Sequence, residues 1–94
     1  MDIDDRFEQF SDDYIKFERV ENKRSSRPDL HAFLLLNELV PGTNDMVSAA
    51  EHDEIFLSVE PEELNKVATD EQILELVRCG IRYNSSHDCL CMFV

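Results

Sequence analysis

From Cys89 to Val94 the chain reads Cys-Leu-Cys-Met-Phe-Val, six consecutive apolar side chains. At strand alternation, Cys89, Cys91 and Phe93 point to one face and Leu90, Met92 and Val94 to the other. A strand that is apolar on both faces has to be covered on both, so it belongs inside a sheet and not at its rim. Two flanking strands are legible. Ile55, Leu57 and Val59 alternate with Phe56 and Ser58, which predicts a strand over 54–59. Ile81-Arg82-Tyr83 precedes the polar stretch Asn84 to Asp88, which predicts a strand over 81–84 and a hairpin over 81–94. The expected sheet has three strands, with 89–94 in the middle.

The rest of the chain carries helical signals. Phe7, Phe10, Tyr14, Phe17 and Val20 recur at three- and four-residue spacing, one apolar stripe of a helix over 4–21. Residues 22–27 hold no apolar side chain and read as a basic loop. Pro28 suits the first position of a helix over 28–40, apolar on most sides through Leu30, Phe33, Leu34, Leu35, Leu36 and Leu39, hence buried. Pro41-Gly42 ends it, and Thr43, Asn44 or Asp45 can cap a short helix over 44–51. Pro61 opens a turn over 61–66. Thr69 with Gln72 forms a capping box for a helix over 70–79, which Gly80 closes. The fold class expected is α+β, helices packed on a small sheet, in a single domain over 1–94.

Charge excludes some functions. Twenty-one carboxylates face nine Lys and Arg, a net charge of −12, and residues 28–77 hold twelve acids against Lys66 alone. Phosphate neutralisation supplies most nucleic-acid affinity, so this field argues against direct DNA or RNA binding. No apolar run approaches the roughly 20 residues that span a bilayer. Met1-Asp2-Ile3-Asp4-Asp5 lacks the basic and apolar regions of a secretory signal, and three cysteines are an odd set for a disulfide scaffold. The compartment expected is cytoplasmic, with reduced thiols.

Chemistry-bearing clusters are few. Cys79, His87, Cys89 and Cys91 supply three thiols and an imidazole, a recognised tetrahedral zinc set. Their spacing is looser than a zinc knuckle, and the simpler reading makes Cys89 and Cys91 small core residues. Glu51-His52-Asp53-Glu54 places a histidine among carboxylates, which a charged turn explains equally well. His31, beside Leu30 and Phe33, reads as a core or boundary histidine. No nucleophile arrangement, phosphate loop or zinc-protease signature occurs, so the chain reads as non-enzymatic and needing no cofactor.

The carboxylates themselves remain to be explained. Acidic side chains can simply keep a small domain soluble. They can also imitate a phosphate backbone when ordered along helices. Asp2, Asp5, Glu8 and Asp12 fall on one row of the first helix. Glu60, Glu62, Glu63, Asp70, Glu71 and Glu75 form a second concentration. Lys23, Arg24 and Arg27 in the basic loop could make a second contact with a partner. The partner expected is a protein with a basic surface. The alternatives are a zinc-stabilised domain, and a homodimer packed through the aromatic stripe of the first helix.

Arg27-Pro28-Asp29-Leu30, Ala49-Ala50-Glu51-His52-Asp53-Glu54-Ile55 and Leu76-Val77-Arg78-Cys79-Gly80-Ile81-Arg82-Tyr83 resemble small acidic proteins encoded by bacteriophages and prophages. The resemblance spans most of the chain and carries no activity motif. It implies a bacterial host cytoplasm and a host-directed binder, since phages use compact acidic proteins to block CRISPR complexes and restriction enzymes.

Overall fold

A computed structural model describes residues 2–93 and shows an α+β fold, four helices with a four-stranded antiparallel sheet. The elements run α1 (Ile3–Glu8), α2 (Pro28–Leu39), β1 (Val47–Glu51), β2 (Glu54–Leu57), α3 (Pro61–Val67), α4 (Asp70–Arg78), β3 (Arg82–Asn84) and β4 (Cys89–Phe93). The strand order is β1-β2-β4-β3. β4 therefore lies between β2 and β3, with Leu57 opposite Leu90 and Leu90 opposite Tyr83. Val94, assigned above to this strand, lies outside the described residues.

The sheet has a core face and an outer face. Ile55, Leu57, Tyr83, Leu90 and Met92 join the central cluster with Leu35, Leu36, Leu64, Ile73, Leu76 and Ile81 from the helices and their ends. Phe56, Cys91 and Arg82 are cross-strand partners in one row and point the other way. Cys91 is fully buried on this face. The Arg82 guanidinium lies over the Phe93 ring, its carbon 4.2 Å from the centroid, and pairs with Glu54 across the sheet. The second apolar face of β4 is thus closed at Cys91 but open at its end, where Phe93 is 55% exposed.

Three expectations are corrected. The helix expected over 4–21 stops at Glu8. The chain then turns through two short 3-10 segments, Ser11–Asp13 and Phe17–Arg19. Ser11, Asp12 and Asp13 compete for backbone hydrogen bonds and favour turns over helix interiors. Ile15 sits at φ 57, a conformation costly for a β-branched residue, and its amide donates to Val77 O at 3.0 Å. Bending lets Phe7, Phe10, Tyr14, Phe17 and Val20 all reach the core of their own chain. The stripe is real in its burial but not in its helix.

The helix expected over 44–51 is strand β1. Its residues show no helical stripe, and pairing with β2 decides the matter: Ala49 lies opposite Phe56, Ala50 opposite Ile55 and Glu51 opposite Glu54. His52, at φ 57, takes the tight-turn geometry between them. The sheet accordingly has four strands where three were expected. Finally, α2 is not buried all round, because Leu30 and Leu34 are 44% and 43% exposed on its outer side.

The remaining ends follow local chemistry. Thr69 Oγ1 accepts from the Gln72 amide at 3.2 Å while Gln72 Oε1 accepts from the Thr69 amide at 2.8 Å, a reciprocal capping box. Gly80 at φ 98 closes α4: its amide donates to Val77 O, and the Ile81 amide donates to Leu76 O. These two bonds define a Schellman ending, which favours glycine because the left-handed residue pays no Cβ penalty. Among the described residues, no helix is long and apolar enough to cross a membrane.

Candidate functional site

The carboxylates are placed by helix starts. Asp2 caps α1, its Oδ1 accepting from the Asp5 amide at 2.9 Å, and Asp4 and Asp5 occupy the first turn. Glu60 precedes α3, with Glu62 and Glu63 in its first turn, and Asp70 and Glu71 begin α4. Negative charge is favourable at each of these positions because it faces the positive end of the helix dipole. Local stability therefore explains part of the pattern.

Arg6 joins the two concentrations. Its side chain, 11% exposed, reaches from α1 to the junction of α3 and α4. Its guanidinium donates to Asn65 O and Asn65 Oδ1 at 2.9 Å, to Ala68 O at 2.7 Å and to Asp70 Oδ1 at 3.1 Å. The carbonyls of Asn65 and Ala68 belong to the α3 end, where helix geometry leaves acceptors without partners. This clamp sets α1 against the other two acidic helices. Sequence spacing offered no sign of it, because a lone arginine among acids in a short helix carries no pattern.

The merged field is felt at Tyr83. Its hydroxyl donates to Asp88 Oδ1 at 2.6 Å. That bond, followed by desolvation and the charges of Asp88, Asp4 and Glu62, pushes the phenol up to about 12. Asp4 and Asp88 were not among the expected site residues, yet they act on the same hydroxyl as Glu62.

Not every expected acid is free to meet a partner. Asp70 is held by Arg6, Glu63 pairs with Lys66 at 3.4 Å, and Glu75 Oε2 lies 2.8 Å from His31 Nε2. His31 is 1% exposed, and its Nδ1 accepts from the Arg24 amide at 3.0 Å. Nε2 therefore carries the ring proton and donates to Glu75. Asp12 sits in the 3-10 segment, off the helical row expected for it. Among the described residues, Asp2, Asp5, Glu8, Asp12, Glu60, Glu62 and Glu71 are exposed and make no ion pair.

The basic loop turns inward. Lys23 Nζ donates to Val20 O at 2.9 Å and lies 5.1 Å from the Phe17 ring centroid. Arg24 pairs with Glu38, and Arg27 with Asp29 at 2.9 Å. Each expected second-contact cation is matched within the chain, mostly to α2 acids.

The cysteine set does not converge. Cys79 ends α4 in the core, Cys89 and Cys91 lie on β4, and His87 stands in the turn between β3 and β4, 5.3 Å from Phe56 by ring centroids. Among the described residues, no three His, Cys, Asp or Glu side chains are grouped to hold a metal ion. Burial, with the Glu75 charge adding to it, pushes the Cys79 thiol up to about 12; burial also raises Cys89 and Cys91. Thiols held protonated are poor ligands and poor nucleophiles.

Beside a depression of about 380 Å³ that includes Asp4, Glu8 and Tyr83, two others lie among the described residues. One of about 320 Å³ is lined by Glu51, His52, Asp53, Glu54, Phe56, His87 and Phe93, so the β1–β2 turn gains a second histidine from the far hairpin. A more apolar one of about 500 Å³ lies between Ile15, Phe33, Ile55, Met92 and Phe93, with the Arg27–Asp29 pair at its wall. No protein-family model, curated protein or solved structure matches this chain.

Proposed function

We propose that this domain is a non-enzymatic interaction module whose acidic helices α1, α3 and α4 bind a basic protein surface. In its sharper form, the partner is a nucleic-acid-binding protein of the host, such as a CRISPR or restriction component, and the carboxylates stand in for phosphates. The observation that carries the reading is the Arg6 clamp: it holds α1 against α3 and α4, so that the unpaired acids Asp5, Glu8, Glu62 and Glu71 sit on adjoining helices. A chain with a net charge of −12 is also steered rapidly toward a basic groove.

The test is charge reversal of Asp5, Glu8, Glu62 and Glu71 to Lys. Glu75 is left alone because it holds the buried His31. A tagged protein is used to capture partners from bacterial lysate, washed at about 0.1 M and about 1 M salt, where the screening length falls from roughly 10 Å to 3 Å. The expected result is a nucleic-acid-binding protein held at low salt, shed at high salt, and lost by the folded reversal variant. Equal capture by the variant removes the carboxylate face from the account.

A further inference from the structure

We infer that the free edge of β1 is a strand-docking site, and that its occupant is an extended segment of a partner chain with a small or apolar centre and Lys or Arg at both ends. Among the described residues β1 terminates the sheet, with β2 as its one strand neighbour. Among the described residues, no backbone hydrogen bond joins Val47–Glu51 to any element but β2. An edge strand left this way presents a row of donors and acceptors that only another strand satisfies in order.

The devices that usually blunt an edge are weak here. Val47-Ser48-Ala49-Ala50 contains no lysine and no proline. The single irregularity of register falls between Val47 and Ala49, leaving Ala49 to Glu51 regularly paired. All five residues are exposed, although successive side chains point to opposite faces, so neither face of β1 is covered. Small side chains at Ala49 and Ala50 let a second backbone approach. The opposite edge is different, because β3 packs beside α1. The docking edge and the α1 helix therefore lie at opposite ends of the sheet, and the inference does not depend on the carboxylate-face reading.

Charge selects the occupant. Exposed Asp45 precedes β1, and exposed Glu51 and Asp53 follow its centre, so acids flank an uncharged middle. A second copy would bring the same acids and another net charge of −12 to this edge. A segment with cationic ends meets complementary charge at both.

The probe is a synthetic peptide, Lys-Lys-Val-Thr-Val-Thr-Val-Lys-Lys, added to the isotope-labelled full chain and followed by backbone amide chemical shifts. Expected are shifts centred on Val47–Glu51, slowed exchange of amides in that strand, and at least a tenfold loss of affinity when alternate peptide nitrogens are methylated. Methylation keeps charge and side chains but blocks strand pairing. The double variant D45K/E51K should weaken the Lys-ended peptide and strengthen a Glu-ended one. Three results overturn the inference: no binding at millimolar peptide, equal binding of the methylated peptide, or shifts confined to α1, α3 and α4. Dimerisation through Val47–Glu51 that the peptide fails to displace would make the occupant a second copy and overturn it likewise.

Discussion

Replacing Arg6 with alanine removes a guanidinium that donates to four acceptors across the α1–α3–α4 junction. Hydrogen bonds from a charged donor contribute roughly 1.5–3 kcal/mol each, but bonds sharing one side chain do not add. Two of the acceptors are carbonyls at the end of α3, and hydration recovers part of what they lose. The expected loss is about 3 kcal/mol. Lysine at the same position, a point charge without the planar fork, should lose about 2 kcal/mol. The Asp70 ion pair is a minor share: its carboxylate is 68% exposed, and exposed pairs contribute about 0–1 kcal/mol. Asp70→Asn should therefore cost under about 1 kcal/mol. The chain has no tryptophan, so urea unfolding is followed by far-ultraviolet circular dichroism, with equal slopes required for the comparison. For a domain of this size each kcal/mol moves Tm by roughly 4–8 °C, which puts the Arg6→Ala variant about 12–24 °C lower. A loss for Arg6→Ala no larger than that for Asp70→Asn would refute the clamp, and with it the physical basis for treating the acidic helices as one face.

Thr69→Ala should cost about 1 kcal/mol, read from the same denaturation curves, with Thr69→Ser restoring most of it, because the hydroxyl caps the Gln72 amide. Ultraviolet absorbance titration should show Tyr83 ionising near 12, and Asp88→Asn should bring it back toward the ordinary phenol value. Since this folded value is raised, the associated stability is complete below about 10 and is lost as pH climbs toward 12. Asp13 has the opposite sign: the hydrogen bond from Arg78 Nε at 2.7 Å, with the nearby cations, holds its carboxyl below the usual range. Its stability is present above the unfolded carboxylate value and disappears as pH falls through the folded one, so Asp13→Asn should flatten the acid limb of a stability–pH profile. Iodoacetamide at neutral pH should modify the native chain slowly and at Cys89 first, because Cys79 and Cys91 are buried and all three thiols are held protonated.

Where a short stretch of chain contains both the signal and its satisfaction, the sequence can be read directly. The capping box of Thr69 and Gln72, the glycine at the end of α4 and the alternation that marks β2 are of this kind. The two-sided apolar pattern of β4 is also local, and the α+β class follows from it together with the helical stripes. The N-terminal stripe was ambiguous for a definite reason. Three- and four-residue spacing records which side chains are buried, and a chain bent through 3-10 segments buries Phe7, Phe10, Tyr14 and Phe17 as well as a straight helix does. Residues 44–51 read as a helix because Thr43, Asn44 or Asp45 can cap one, whereas pairing of Val47–Glu51 with β2 supplies hydrogen bonds that this local signal does not outweigh.

The candidate surfaces divide along the same line. Composition alone determined that the chain is strongly acidic, with a net charge of −12, because charge is a sum over residues. Which acids remain available was decided only by tertiary structure. Asp70 and Glu75 were spent on Arg6 and His31, partners 64 and 44 residues away in the chain, and the basic loop was spent on Glu38, Asp29 and the chain's own backbone. The free edge of β1 is likewise invisible in sequence, because an edge is defined by a strand that is missing beside it. Burial preference and end-capping are properties of a residue and its near neighbours. Pairing, clamping and exposure are properties of segments brought together from far apart, and no window of sequence contains them.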